Sequence, residues 1–446
     1  MKSLNRHNMK HKLLNLVILA CALPMISSCG ESVEDISRKL SKRILADGRL
    51  DKVDSMARAI IRTGFNAGDG YGEVWIRDMN TFIELSCEEL DTKIIRENLL
   101  TFFQFQGPTG DIVDGFIPIE QAEVSEIGYQ YRYSDLNPRF AAHKNTVETD
   151  QESALIQAVY KYILITGDLF FLEEEIGGKS VMDRLVWAME WLMTERYNKD
   201  YGLLWGATTA DWGDVQPEHE WGTIFDESSH VAIDIYDNAM FVLAIDRFIK
   251  MTPTNKHGKW LDVSRDIRKK VREHLWDAEN NKYRPHIYIG SSPFPADFDE
   301  DKVFYHGGTT VAIEADMLSK EEIKTSYRKM ESNVKKSGAA SVGLTLYPPY
   351  PEGFFKNPGM GPYSYQNGGD WTWFGARTVS ALADNGYYLQ AYESLIPMLD
   401  RVIANKGFYE WYSVDNKPSG SGTFRGSAGV LATAIKKLKE WAKQNE

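Results

Sequence analysis

Two carboxylates in this chain stand in surroundings that solvation alone does not explain. Asp211 lies in Gly206-Ala207-Thr208-Thr209-Ala210-Asp211-Trp212-Gly213-Asp214, a small-residue loop with an indole beside the carboxyl. Desolvation there can raise its pKa and keep it protonated as a general acid. Glu410 stands among aromatics in Phe408-Tyr409-Glu410-Trp411-Tyr412. A charge in that company is costly to bury unless something uses it, so Glu410 is the candidate base. Plainer roles accompany both: Asp211 as an Asx-turn residue, and Glu410 as the ion-pair partner of Lys406 or Arg425.

Other polar groups gather where long loops run into helices: Trp75-Ile76-Arg77-Asp78, Glu148-Thr149-Asp150, Asp226 to His230, His306-Gly307-Gly308, and Gln366-Asn367-Gly368-Gly369-Asp370-Trp371. Asp78, Asp150 and Asp370 are placed to cap helix N-termini, a role worth about 1 kcal/mol each. Capping does not account for the Trp and Gly-Gly that accompany them. Aromatic platforms with carboxylates and amides suit sugars, whose apolar faces stack and whose hydroxyls need acceptors.

The elements that must hold these residues are helical. Apolar residues recur at three- and four-residue spacing over 33–46, 50–64, 78–89, 91–106, 150–166, 180–197, 230–250, 258–275, 319–335, 370–386, 388–405 and 426–443, which predicts about 12 helices and almost no alternating strand. Short turns alternate with long, aromatic-rich loops at 65–77, 107–149, 198–229, 276–310, 336–369 and 406–425. No linker divides residues 31–446, so we expect one all-α domain. Six successive hairpins can close into an (α/α)6 toroid with the long loops on one rim; the alternative, an open solenoid, should show more similar repeats.

The N-terminus reads as a targeting segment. Lys2, Arg6, Lys10 and Lys12 precede an apolar run from Leu13 to Ile26, interrupted by Asn15 and Pro24 and shorter than the roughly 20 residues of a membrane span. Ile26-Ser27-Ser28-Cys29 resembles the bacterial lipoprotein lipobox, which implies a signal peptide at 1–28, lipid on Cys29, and an exported domain, 29–446, facing the periplasm or cell surface. Membrane contact would be through that anchor only. Cleavage near Cys29 without lipidation is the alternative.

The chain carries 51 basic against 63 acidic residues, net −12, so nucleic acid is a poor partner. The glycines of Gly68-Asp69-Gly70-Tyr71-Gly72 lack dinucleotide spacing and read as a turn. His219, His230 and His306 show no metal-ligand spacing, and Ser228-Ser229-His230 has no nucleophile elbow. We expect no metal and no cofactor.

The Phe408–Tyr412 segment, with the Gly-rich stretch and final helix after it, resembles the C-terminal signature of the six-hairpin glycoside hydrolases: trehalase, the processing α-glucosidase and mannosylglycerate hydrolase group, and the neutral invertases. Asn367-Gly368-Gly369-Asp370-Trp371 is similar to the invertase Asn-Gly-Gly-Ser-Trp, and Val74-Trp75-Ile76-Arg77-Asp78 to an early Arg-Asp sugar-binding segment. The resemblance implies inversion of an α-glycosidic bond, with acid and base about 6.5–9.5 Å apart to admit water. It implies sugar-hydroxyl contacts from Arg77, Asp78, Asp150, Gln366 and Asn367, and walls from Trp75, Trp212 and Trp371; Asp370 is grouped with them as a binding residue. The family's Gly-Trp-Asp order around the acid is not reproduced, since Trp212 follows Asp211, which keeps Asp214 as an alternative acid or a substrate contact. Two other functions fit parts of the pattern: a lipid-anchored glycan-binding protein without turnover, and a lyase or unsaturated uronyl hydrolase on the same toroid, served by Arg77 and Arg425.

Overall fold

A computed structural model describes residues 32–122 and 130–446; Cys29 and the segment before it lie outside the described residues. Thirteen α-helices occur among them: α1 (Val33–Leu45), α2 (Gly48–Ile61), α3 (Ile76–Glu89), α4 (Thr92–Gln104), α5 (Gln151–Thr166), α6 (Val181–Glu195), α7 (Ile235–Met251), α8 (Trp260–His274), α9 (His306–Glu314), α10 (Lys320–Ser337), α11 (Thr372–Asp384), α12 (Tyr388–Asn405) and α13 (Arg425–Gln444). None is long and apolar enough to cross a membrane.

The packing partners define a ring. α3 packs on α5, α5 on α7, α7 on α9, α9 on α11, α11 on α13, and α13 returns to α3. The helices between them, with α2, form the outer layer, and α1 lies against α13. Inner and outer helices therefore alternate along the chain. All six inner N-termini follow the long loops, which places those loops on one rim, as the sequence predicts.

Burial explains which helices are easy to read. Outer α8 is strongly amphipathic, burying Trp260, Ser264, Ile267 and Val271 on one stripe, the pattern expected of a helix with a solvent face. Inner α9 buries every residue from His306 to Ile313. Enclosed on all sides and carrying Gly307 and Gly308, it shows no polar stripe, so periodicity assigns its first residues to a loop and gives the rest no element. The predicted helix at 230–250 starts later, because Val231–Ile233 pairs as a strand with Ile287–Ile289 before Asp234 caps α7 through the Asp237 N–H.

Small antiparallel sheets stiffen the rim. In one of them β1 (Val74–Trp75), β2 (Gly115–Pro118) and β3 (Phe140–His143) align Trp75, Gly115 and His143 in register. A Cβ on Gly115 would lie 2.2 Å from Trp75 Cδ1 and 3.1 Å from His143 Cε1, so only glycine lets the indole lie against the strand.

Candidate active site

A cavity opens on the axis of the ring where the inner helices begin. Trp75, Arg77 and Asp78 enter from α3 and its strand, Glu148 from the loop before α5, and Trp212 and Asp214 from the mid-chain loop. Gln366, Trp371 and Trp373 enter from around α11, and Glu410 and Phe424 from the last loop.

Glu410 is 5% exposed. Its Oε1 accepts from Tyr71 Oη at 2.6 Å and from the Ser421 N–H at 2.7 Å. Gly420 has φ +72°, and a Cβ there would lie 2.5 Å from the Glu410 carboxyl carbon, so a glycine is required both for the backbone and for the carboxyl. Burial raises the Glu410 pKa above its ordinary value, opposed by the Ser421 N–H and the Tyr71 hydroxyl and reinforced by the charge of Asp214. Tyr71→Phe removes a donor that favours the ionised form. The acid limb of the pH–rate profile is therefore expected to move to higher pH. On that limb kcat/KM should fall about tenfold, the scale of one hydrogen bond to a charged group, and recover at alkaline pH; a uniform loss at all pH values would show that Tyr71 acts otherwise.

The structure corrects the placement of Asp211. Its backbone is left-handed, φ +58°, and its carboxylate accepts from the Gly307 N–H at 2.6 Å and the Gly308 N–H at 2.7 Å, at the first turn of α9. It does not line the cavity. Free N–H groups at a helix start are a strong attraction for a carboxylate, and Gly307 leaves room for it: a Cβ would lie 2.8 Å from Asp211 Oδ2 and 2.2 Å from Trp212 Cδ1. Asp211→Ala is expected to lower stability by about 2 kcal/mol through the lost cap and the left-handed backbone. Asp211→Asn, tolerant of that backbone, should cost less, as read by denaturant unfolding.

Three residues on, Asp214 lines the cavity. Tyr365 Oη donates to its Oδ2 at 3.3 Å, while Oδ1 is buried without a partner among the described residues. Its backbone N–H donates to Gln366 Oε1 at 3.2 Å and its carbonyl accepts from Asn145 Nδ2 at 2.8 Å. Burial raises its pKa above the ordinary value, with Arg77 the main opposing charge.

Arg77 is clamped. Its Nε and Nη2 meet the two Asp150 oxygens at 2.9 and 3.0 Å, Nη2 also meets Glu148 at 3.1 Å, and Nη1 donates to the Trp212 carbonyl at 3.1 Å. Tyr236 Oη donates to Asp150 at 2.6 Å. Asp150 is fully buried behind Arg77 and does not line the cavity. It makes no side-chain cap for α5, nor do Asp78 and Asp370 cap α3 and α11: Asp150 is turned to the guanidinium, Asp370 to Arg401 and Ser341, and Asp78 to the cavity. Burial, with the Glu410 charge adding to it, pushes Asp78 up to about 7. Burial holds Glu148 well above its ordinary value as well, against the pull of Arg77.

The Gln366–Trp371 segment divides in the same way. Gln366 and Trp371 line the cavity; Asn367 and Asp370 do not. Asn367 accepts from the Tyr350 N–H at 2.8 Å and donates to the carbonyls of Tyr350 and Met360, so it ties the loop to itself. Asp370 accepts from Ser341 N and Oγ and pairs with Arg401 at 3.0 Å. The aromatic wall is one cluster: Trp212 stacks on Phe374 with centroids 4.7 Å apart and meets Trp371 and Trp373 edge-on at 4.9 and 5.1 Å.

Sequence reasoning missed Tyr71, Asp114, Asn145, Glu148, Tyr365, Trp373 and Phe424 in the lining. Glu148 stood two residues before Asp150 in a segment already singled out, and Tyr71 lay within the glycine-rich turn. Asp114 carried no local signal; its partner His143, at 2.6 Å, comes from the neighbouring strand β3.

No family model matches this sequence, and no curated protein does. Solved structures do. A GH63 mannosylglycerate hydrolase from Thermus thermophilus, in complex with glucose, is similar with a TM-score of 0.61 at 16% identity, covering 85% of this chain and 100% of that one. The same hydrolase with Tris and D-glycerate gives 0.62 at 15%, covering 85% and 99%. A rhamnosidase from Klebsiella oxytoca with rhamnose bound gives 0.58 at 12%, covering 88% of this chain and 64% of that one. The likeness is one of fold: the chain has the six-hairpin, (α/α)6 glycosidase architecture.

Proposed function

We propose that the protein is a glycoside hydrolase that cleaves an α-glycosidic bond at the end of a glycan or in a small glycoside with inversion, Asp214 acting as general acid and Glu410 as general base. One observation carries this reading: two carboxylates from loops far apart in the chain, Glu410 buried and Asp214 half-buried, line one cavity walled by Trp75, Trp212, Trp371 and Trp373. Each has the surroundings its role needs. Asp214, raised by burial and with one oxygen unpartnered, can hold a proton for the leaving oxygen. Glu410, steadied by two donors on one oxygen, leaves the other to take a proton from water. Placing acid and base on opposite sides of the sugar, with water between, gives inversion. Arg77, Asp78, Glu148 and Gln366 supply the polar contacts to hydroxyls.

The test is incubation with α-glucosides, α-mannosides and α-rhamnosides, following the anomeric proton of the released sugar by NMR. Release of the inverted anomer first supports the proposal. Release of the retained anomer refutes inversion, and no release from any substrate refutes hydrolysis of these bonds.

We also propose that the protein is exported, with lipid on Cys29 holding the domain at a membrane. The basic residues, the apolar run and the small residues before Cys29 support it. Incorporation of labelled palmitate that is lost in Cys29→Ala is the expected result; equal labelling of the variant would overturn it.

A further inference from the structure

Building on the hydrolase reading, we infer that this cavity takes a sugar bearing no negative charge and rejects one carrying a carboxylate, sulfate or phosphate. Among the described residues Arg77 is the one cation in the lining, against the carboxylates of Asp78, Asp114, Glu148, Asp214 and Glu410. Asp150 takes two of the five N–H donors of Arg77 and the Trp212 carbonyl a third, Glu148 pairs with Nη2 at 3.1 Å, and the side chain is 11% exposed, so little of the guanidinium is left to meet an anion.

The nearby cations are turned elsewhere. Lys144 donates to the Ile112 carbonyl and pairs with Glu152 at 3.0 Å. Arg425, at the foot of Phe424, donates to the Asn66 carbonyl and Thr63 Oγ1. His143 pairs with Asp114. Asp78, Asp214 and Glu410 are then left in the lining with no ion pair to a described residue. Two of their oxygens, Asp78 Oδ1 and Asp214 Oδ1, are buried and accept no hydrogen bond from a described residue, and a buried acceptor without a donor is costly. Sugar hydroxyls, or an ammonium, supply what these oxygens lack. A carboxylate brings acceptors only, and at close range it meets the charge of those lining carboxylates that stay ionised, where a buried setting screens little. Protonating a lining carboxyl removes one repulsion but creates no cation to receive the anion.

Titration calorimetry on the full chain tests this with two matched pairs: methyl α-glucoside against methyl α-glucuronoside, and methyl α-mannoside against methyl α-mannuronoside. In a pair whose neutral member binds, the uronoside should be at least about 100-fold weaker. Measured at pH 8, above the value of about 7 to which Asp78 is raised, Asp78→Asn removes one lining charge and should narrow that gap about tenfold; Glu148→Gln, which frees an Arg77 donor, serves if Asp78→Asn does not fold. A uronoside binding as tightly as its neutral twin, a gap unchanged in the folded variants, or no binding by any of the four overturns the inference. Charge-selective binding without turnover leaves it standing and removes the hydrolase reading. Turnover of a neutral glycoside with no discrimination in binding does the reverse.

Discussion

Asp214→Asn and Glu410→Gln are each expected to lower kcat/KM by about 10³-fold, within the range a positioned acid or base contributes, while Asp211→Asn stays within about tenfold of the parent. The expectation rests on where the three carboxylates point. Asp214 and Glu410 line the cavity, whereas both oxygens of Asp211 are taken by the first N–H groups of α9. The leaving group separates the two roles. An aryl glycoside or glycosyl fluoride departs without a proton, so such a substrate should restore much of the rate of Asp214→Asn and none of that of Glu410→Gln. Full activity in Asp214→Asn, or loss in a folded Asp211→Asn, would return the acid to Asp211.

The second large effect is on stability. Asp370→Ala is expected to cost about 3–5 kcal/mol in equilibrium unfolding, because it strands a buried guanidinium. Arg401 has no exposed side-chain surface; its partners are Asp370 at 3.0 Å, Thr372 Oγ1, and the Tyr412 ring, whose centroid lies 4.1 Å away. A loss of that size is a large fraction of an ordinary domain's stability. Replacing both partners, as in Asp370→Leu with Arg401→Met, should recover much of it, since the desolvation of the pair is then avoided. Asp370 also exchanges backbone hydrogen bonds with Tyr412, both 2.9 Å, two residues from Glu410. Asp370→Ala should accordingly lower activity even at temperatures where it stays folded. If its unfolding midpoint matches that of the parent, Asp370 is not the anchor described.

These two predictions mark different depths of legibility in the chain. Glu410 could be read because its neighbours are local: four aromatics in five residues already make a carboxyl conspicuous. Trp75, Arg77, Gln366 and Trp371 were legible for the same reason, each standing near a loop–helix junction in a run of unusual composition, and Trp212 stood in a small-residue loop. Glu148 and Asp150 show the limit. They differ by two positions, and which faces the cavity and which stands behind Arg77 depends on a tyrosine from α7, Tyr236, that no local pattern connects to them.

By itself, the sequence determined the outer helices and the loops that gather on one rim, because helical periodicity and turn chemistry act over a few residues; inner α9, buried all round, left no such signal, and its place in the ring is seen only in the tertiary structure. Only the tertiary structure separates Asp211, held at the start of α9, from Asp214, which lines the cavity. That difference turns on N–H groups 96 and 97 residues further along the chain, brought to Asp211 when α9 takes its place in the ring, a distance over which no local pattern acts.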